Sequence, residues 1–174
     1  MGLLETKNGF SDAVLGKNIP VLYFVSKDDC PLCPLMANPV GDLDSERSAF
    51  PLAEGTRIQK VNLDKAKRKY INEMKDEGAH TDELDRLEKM REQALFLKTV
   101  AAIDGVPTLL LVKDGQVISE FESDIKINNL KPEHIEKWVD KTLTTHSKNQ
   151  LVLAASGPRE LYDELEDDGF ALGV

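Results

Sequence analysis

Cys30 and Cys33 are the two cysteines of the chain, and they stand as Cys30-Pro31-Leu32-Cys33 shortly after the apolar, β-branched run Ile19 to Val25. A run of that composition reads as a buried strand, and the cysteines then fall at a helix start. Two intervening residues at a helix start place both sulfurs on one side, close enough to close a disulfide. At a helix N-terminus, unpaired N–H groups and the macrodipole stabilise a thiolate on Cys30. The thiolate is the attacking species in disulfide exchange, so this geometry makes a nucleophile. Cys33, further into the helix, becomes the thiol that resolves the mixed disulfide, and Pro31 suits the first helical position, where an N–H is not needed. A single C-x-x-C leaves two other readings open: half of a metal site, or two unreactive core thiols. A structural zinc site takes four ligands. The chain offers no second pair, and His80, His134 and His146 show no ligand spacing. No metal and no cofactor are therefore expected.

The elements that must hold this pair can be read coarsely. Phe10, Val14 and Leu15 lie at helical spacing in a short segment ending at Gly16. Ile58 to Asp64 alternates as a second strand should. Residues 109 to 112 form a third, apolar strand, turned by Lys113-Asp114-Gly115-Gln116 into Val117 to Phe121, where Asp-Gly is a strong hairpin signal. A last helix is expected over Lys131 to Leu143, with Pro132 in its first turn and Ile135, Trp138, Val139 and Thr142 on one face. The pattern implies a sheet with a parallel start and an antiparallel hairpin at its end.

Two segments fall outside that frame. Residues 65 to 100 are strongly charged and broken near Gly78-Ala79-His80. Thr81 is the expected N-cap of the helix that follows, with Asp82 and Glu83 well placed in its first turn. Leu84, Leu87, Met90, Ala94 and Leu97 make one apolar stripe, and Asp82–Arg86 and Asp85–Lys89 are acid-first i,i+4 pairs. The plain reading is a helix packed on the core by that stripe, and the sharper one a partner-binding or screening lid. Residues 147 to 174 form an acidic extension that reads as a loosely packed helix or as a docking peptide.

The chain has 174 residues, enough for one domain with additions and for a core that needs no disulfide staple. The formal net charge is −9, which argues against a nucleic-acid partner, since phosphate contacts need clustered cations. A hydrophobic share of 41 % supplies a core, which argues against wholesale disorder. The longest apolar stretch, Val106 to Val112, is far short of the roughly 20 residues a membrane helix requires, so no membrane partner is expected. The opening residues carry no apolar run behind a basic start, and the expected location is cytoplasmic.

A second motif sharpens the reading. Asp104-Gly105-Val106-Pro107-Thr108-Leu109 leads a proline into a strand, which is unfavourable unless the geometry is special. Together with the C-x-x-C, it resembles the thioredoxin family, whose members carry a G-[IV]-P-T-L motif with a cis-proline facing the active disulfide. The resemblance covers about residues 8 to 64 and 99 to 145. It implies a thioredoxin-like α/β fold: a central mixed β-sheet flanked by helices, with a helical insertion (65–98) before the cis-proline strand. The expected domain is 1–146, with 147–174 as the C-terminal extension.

By the same resemblance Cys30 is the nucleophile, Cys33 the resolving cysteine and Pro107 the cis-proline. Val106, Pro107 and Thr108 become the substrate-binding segment, with Val106 offering backbone hydrogen bonds to an extended substrate. The implied activity is thiol–disulfide oxidoreduction, acting as a protein-disulfide reductase. Its partners would be disulfide-containing proteins and an unidentified reductase or dithiol donor. The alternative is a redox-inactive or redox-regulated interaction module using the insertion and the tail.

The family usually reads W-C-G-P-C-K, whereas this chain reads Asp29-Cys30-Pro31-Leu32-Cys33-Pro34. Asp28 and Asp29 put negative charge near Cys30, which raises a thiol pKa. Phe24 aligns with the family's buried acid, while Lys60 matches the lysine that accompanies it. Pro34 would clash with the Cys30 carbonyl in a regular helix, so the helix must start later or be distorted. A less stabilised thiolate and a reducing compartment both favour the reductant direction.

Overall fold

In a computed structural model that describes residues 9–46 and 52–155, strand β1 (Val21–Ser26) runs down the middle of a four-stranded sheet. The sheet order is β2-β1-β3-β4, with β2 spanning Arg57–Asn62, β3 Thr108–Lys113 and β4 Gln116–Glu120. β1 pairs with β2 in parallel, from Val21 opposite Arg57 to Ser26 opposite Asn62. β1 pairs with β3 antiparallel, from Val21 opposite Val112 to Val25 opposite Thr108. β3 and β4 form the antiparallel hairpin, with Lys113 opposite Gln116. The parallel start and antiparallel end are those expected. The strand bounds shift slightly: Ile19 lies outside β1 and is exposed, and β2 stops at Asn62 instead of reaching Asp64.

The central strands are buried on both faces, which is why they read as continuous apolar runs. Alternation sends Val21, Tyr23, Val25, Leu110 and Val112 to one face, where they form a core with Val14, Leu15, Met90, Phe96 and Leu97. Leu22, Phe24, Leu109 and Leu111 go to the other face, towards helix α2 (Cys33–Glu46), whose Met36, Val40 and Leu43 are buried.

The first face is covered by α1 (Asp12–Leu15) and by α4 (Thr81–Val100), which α3 (Arg68–Asp76) precedes. Residues 65–98 thus supply core. Leu87, Met90 and Leu97 of the expected stripe are buried; Phe96, outside it, is buried too and meets Phe10 edge-on at 5.5 Å. Two local expectations are corrected. His80, not Thr81, caps α4, its Nδ1 accepting from the Asp82 N–H at 3.2 Å. Arg86 forks onto Glu83 at 2.9 and 2.8 Å instead of pairing with Asp82, because the i,i+3 carboxylate carries a longer stem. A second fork, Arg68 to Glu88, links α3 to α4.

The hairpin turn has Asp114 at φ 51° and Gly115 at φ 78°, the paired positive angles of a two-residue primed turn. It rests on the end of α1, since Asp114 and Gly115 donate to the carbonyls of Gly16 and Leu15 at 3.1 and 2.7 Å. Gly16 is required there: its φ is 72°, and a Cβ would lie 2.7 Å from the Val112 carbonyl oxygen.

The last helix, α5, runs over Pro132–Ala155, longer than expected because the polar residues after Leu143 include no glycine or proline before Gly157. The chain divides into two compact units between Asp140 and Lys141. In the first, Ile135 and Val139 are buried and Trp138 meets Phe121 edge-on at 5.2 Å. The described part of the second is the remainder of this helix. The acidic segment beyond residue 155 lies outside the described residues. No helix among the described residues is long and apolar enough to cross a membrane.

Candidate active site at the head of α2

β1 ends at Ser26, and the next residues carry the chain off the C-terminal end of this central strand to Cys30. Cys30 and Cys33 are joined in a disulfide with their Cα atoms 5.3 Å apart. Cys33 is 6 % exposed, whereas Cys30 is only half-buried, so the first cysteine is the more open to solvent.

The helix begins later than the spacing alone suggests. α2 starts at Cys33, and Pro31 and Leu32 form a turn ahead of it. Pro34 is the physical reason. As the second helical residue it needs no intrahelical donor, whereas a helix starting near Cys30 would drive its ring into the Cys30 carbonyl. That carbonyl instead accepts the Cys33 N–H at 3.2 Å, and the Leu35 N–H goes to the Leu32 carbonyl at 3.1 Å. Of the first three helical positions, two N–H groups are therefore engaged and the third is absent. Fewer free dipoles face the Cys30 sulfur than at an open helix terminus.

The loop carrying Cys30 is held by a polar clasp that the sequence reading missed. Asn62, the last residue of β2, donates from Nδ2 to Asp28 Oδ1 at 2.9 Å. Its Oδ1 accepts the backbone N–H groups of Asp64 at 2.9 Å and Lys65 at 3.0 Å. Asp64 closes the ring by accepting the Asp28 N–H at 2.9 Å. Its carboxyl is held below the usual carboxylate range, first by that N–H and then by Lys67, 3.3 Å away. The Asn62 side chain thus ends β2 in an Asx turn and ties the turn to the cysteine loop. The N-x-D spelling at a strand end was the available signal.

Asp28, expected to set charge beside Cys30, spends its carboxylate on Asn62. Asp29 is exposed. Lys60 is exposed on β2, opposite Phe24 in the register, with its Nζ over Gly41 of α2. Phe24 is buried in β1 and places no carboxylate at that position.

The sheet brings the second motif to the same end. Val25 pairs with Thr108, so Pro107 falls level with Ser26 at the end of the sheet where β1 releases the cysteine loop. The Val106–Pro107 peptide bond is cis. Thr108 Oγ1 donates to the Gly105 carbonyl at 2.6 Å, fastening the turn around Pro107 and leaving Val106 half-buried. Among the described residues the Val106 N–H and carbonyl have no hydrogen-bond partner.

No family model and no curated protein matches this sequence. Among solved structures, Trxlp from Edwardsiella tarda is 21 % identical, covers 75 % of this chain and 94 % of its own, and gives a TM-score of 0.38. The thioredoxin domain of a thiol-disulfide oxidoreductase from Bacteroides vulgatus is 18 % identical, with coverage of 74 % and 83 % and a TM-score of 0.35. A thiol:disulfide interchange protein of the thioredoxin family from Chlorobium tepidum is 19 % identical, with coverage of 75 % and 85 % and a TM-score of 0.37. β1 lies between a parallel and an antiparallel neighbour, and the loop that leaves it carries the C-x-x-C into α2. On those grounds the chain has a thioredoxin-like fold, a mixed four-stranded sheet flanked by helices with a cysteine pair at the head of α2.

Proposed function

We propose that the protein is a thiol–disulfide oxidoreductase that reduces protein disulfides through Cys30 and Cys33. The observation that carries this reading is the pair itself: bonded at a helix head, its first cysteine half-buried and its second buried. In the reduced protein the Cys30 thiolate attacks one sulfur of a substrate disulfide. The substrate S–S bond breaks, its other sulfur leaves as a thiolate that takes up a proton, and Cys30 is left in a mixed disulfide. Cys33 then loses its proton and attacks the Cys30 sulfur, the mixed bond breaks, and the second substrate thiol departs. Two electrons have moved from the dithiol to the substrate, and a dithiol donor restores the pair.

The unpaired Val106 backbone beside Pro107 supports an extended substrate segment docking at this end of the sheet, with Thr108 shaping the turn. The engaged N–H groups at the α2 head leave fewer free dipoles to stabilise a Cys30 thiolate. A dithiol whose thiolate is little stabilised reduces more readily than one whose thiolate is strongly stabilised, which suits a cytoplasmic reductant.

The test is disulfide reduction of insulin with a dithiol donor, comparing wild type with Cys30→Ser and Cys33→Ser. Cys30→Ser should lose turnover, and Cys33→Ser should accumulate a mixed disulfide on Cys30. Turnover that survives Cys30→Ser would reject the mechanism in favour of a redox-inactive interaction module.

A further inference from the structure

A cavity of about 380 Å³ lies between the β2–α3 connection, α4 and the segment at residues 101–103, away from the cysteine sulfurs. That volume is within the range of small-molecule sites. Ala94, Leu95 and Ile103 supply apolar wall, while Lys67, Arg91 and Lys98 supply positive charge. None of its lining residues is acidic, although the chain as a whole carries a net charge of −9.

The three cations are not equally available. Lys67 is already paired with Asp64 at 3.3 Å. Arg91 is half-buried and fixed in the wall by one N–H donated to the Ala66 carbonyl at 3.2 Å, which leaves most of its fork free. Glu88, the carboxylate that adds to the field around Arg91, is bound by both terminal nitrogens of Arg68. Lys98 has no ion-pair or hydrogen-bond partner among the described residues. Leu95 is 41 % exposed, an apolar side chain left at the rim where core packing does not claim it.

An apolar hollow with an oriented guanidinium and a free ammonium matches one kind of molecule: a small amphipathic anion, its body in the hollow and its head on the fork. We propose that this cavity binds a medium-chain aliphatic carboxylate, with Arg91 and Lys98 holding the head and Ala94, Leu95 and Ile103 covering the chain. An alcohol of the same length lacks the charge, and an ammonium opposes both cations.

The test titrates the full chain with octanoate, octan-1-ol and octylammonium, reading affinity by calorimetry and location by NMR shifts. Octanoate should bind saturably with shifts at Ala94, Leu95 and Ile103, octanol more weakly, and octylammonium not at all. Lys98→Gln, an exposed change that leaves the core intact, should weaken octanoate about three- to five-fold and leave octanol unchanged. Ala94→Trp should fill the hollow and abolish binding of both. The proposal is overturned if octanoate does not saturate, if octanol binds as well and Lys98→Gln changes nothing, or if the shifts fall elsewhere.

Discussion

Replacing Asn62 by alanine should loosen the loop that presents Cys30 and lower the stability of the domain. The side chain makes three hydrogen bonds, to the Asp28 carboxylate and to the N–H groups of Asp64 and Lys65. Each such bond contributes about 0.5–1.5 kcal/mol net. Asn62 is half-buried and Asp28 exposed, so water replaces part of what is lost. A total of about 1.5–2.5 kcal/mol is the expected cost, which in a domain of this size lowers Tm by roughly 3–10 °C. Circular-dichroism melts of the oxidised protein read this directly.

The Asn62→Asp variant separates the donor from the acceptor. It keeps the two bonds from backbone N–H groups but sets a second carboxylate against Asp28. Like charges raise the folded pKa of one of the pair above the unfolded value of about 3.9. A group raised in the folded state loses stabilising effect as pH rises through that folded value. Asn62→Asp should therefore be more stable than Asn62→Ala near pH 4, and lose that advantage towards pH 7. An Asn62→Ala melt within 1 °C of wild type, or a gap between the two variants that ignores pH, would refute the clasp.

Two further outcomes follow from the same geometry. Phe96→Ala should cost about 3–5 kcal/mol, since Phe96 is fully buried in the sheet core. A denaturant midpoint close to wild type would show that the insertion is peripheral. Asp64→Asn should be least stable relative to wild type at neutral pH. The Asp64 pKa is depressed in the fold, so its contribution is present above about pH 3.9 and is lost as pH falls through the folded value. Denaturant melts from pH 3 to pH 7 should show the gap closing as acid is added, and a constant gap would contradict the assignment.

The cysteine pair, the proline entering β3 and the Asp-Gly turn were legible because each is a local signal whose chemistry hardly depends on the rest of the fold. The central strands were legible because burial on both faces leaves nothing but apolar residues. What escaped was tertiary or competitive. The Asn62 clasp joins residues far apart in sequence, and its only local trace is an Asx turn hidden inside an alternating strand pattern. The late start of α2 was visible in Pro34, yet it took the Cys30 carbonyl bond to show how the conflict is resolved. Phe96 sits beside the apolar stripe of α4 and is buried because α1 brings Phe10 against it, which helical periodicity alone does not reveal. The Arg68–Glu88 fork likewise depends on how α3 and α4 pack.

The reduction potential of the Cys30–Cys33 pair decides whether this protein is a reductant, and it is measured by equilibrating the full chain across a graded dithiol/disulfide buffer and counting alkylated thiols. A single two-electron transition is expected at a potential more reducing than about −220 mV, within the range of disulfide reductants. A potential near the strong oxidants at about −120 mV would contradict the reductant direction. A pair that never oxidises, or never reduces, would contradict the redox function altogether.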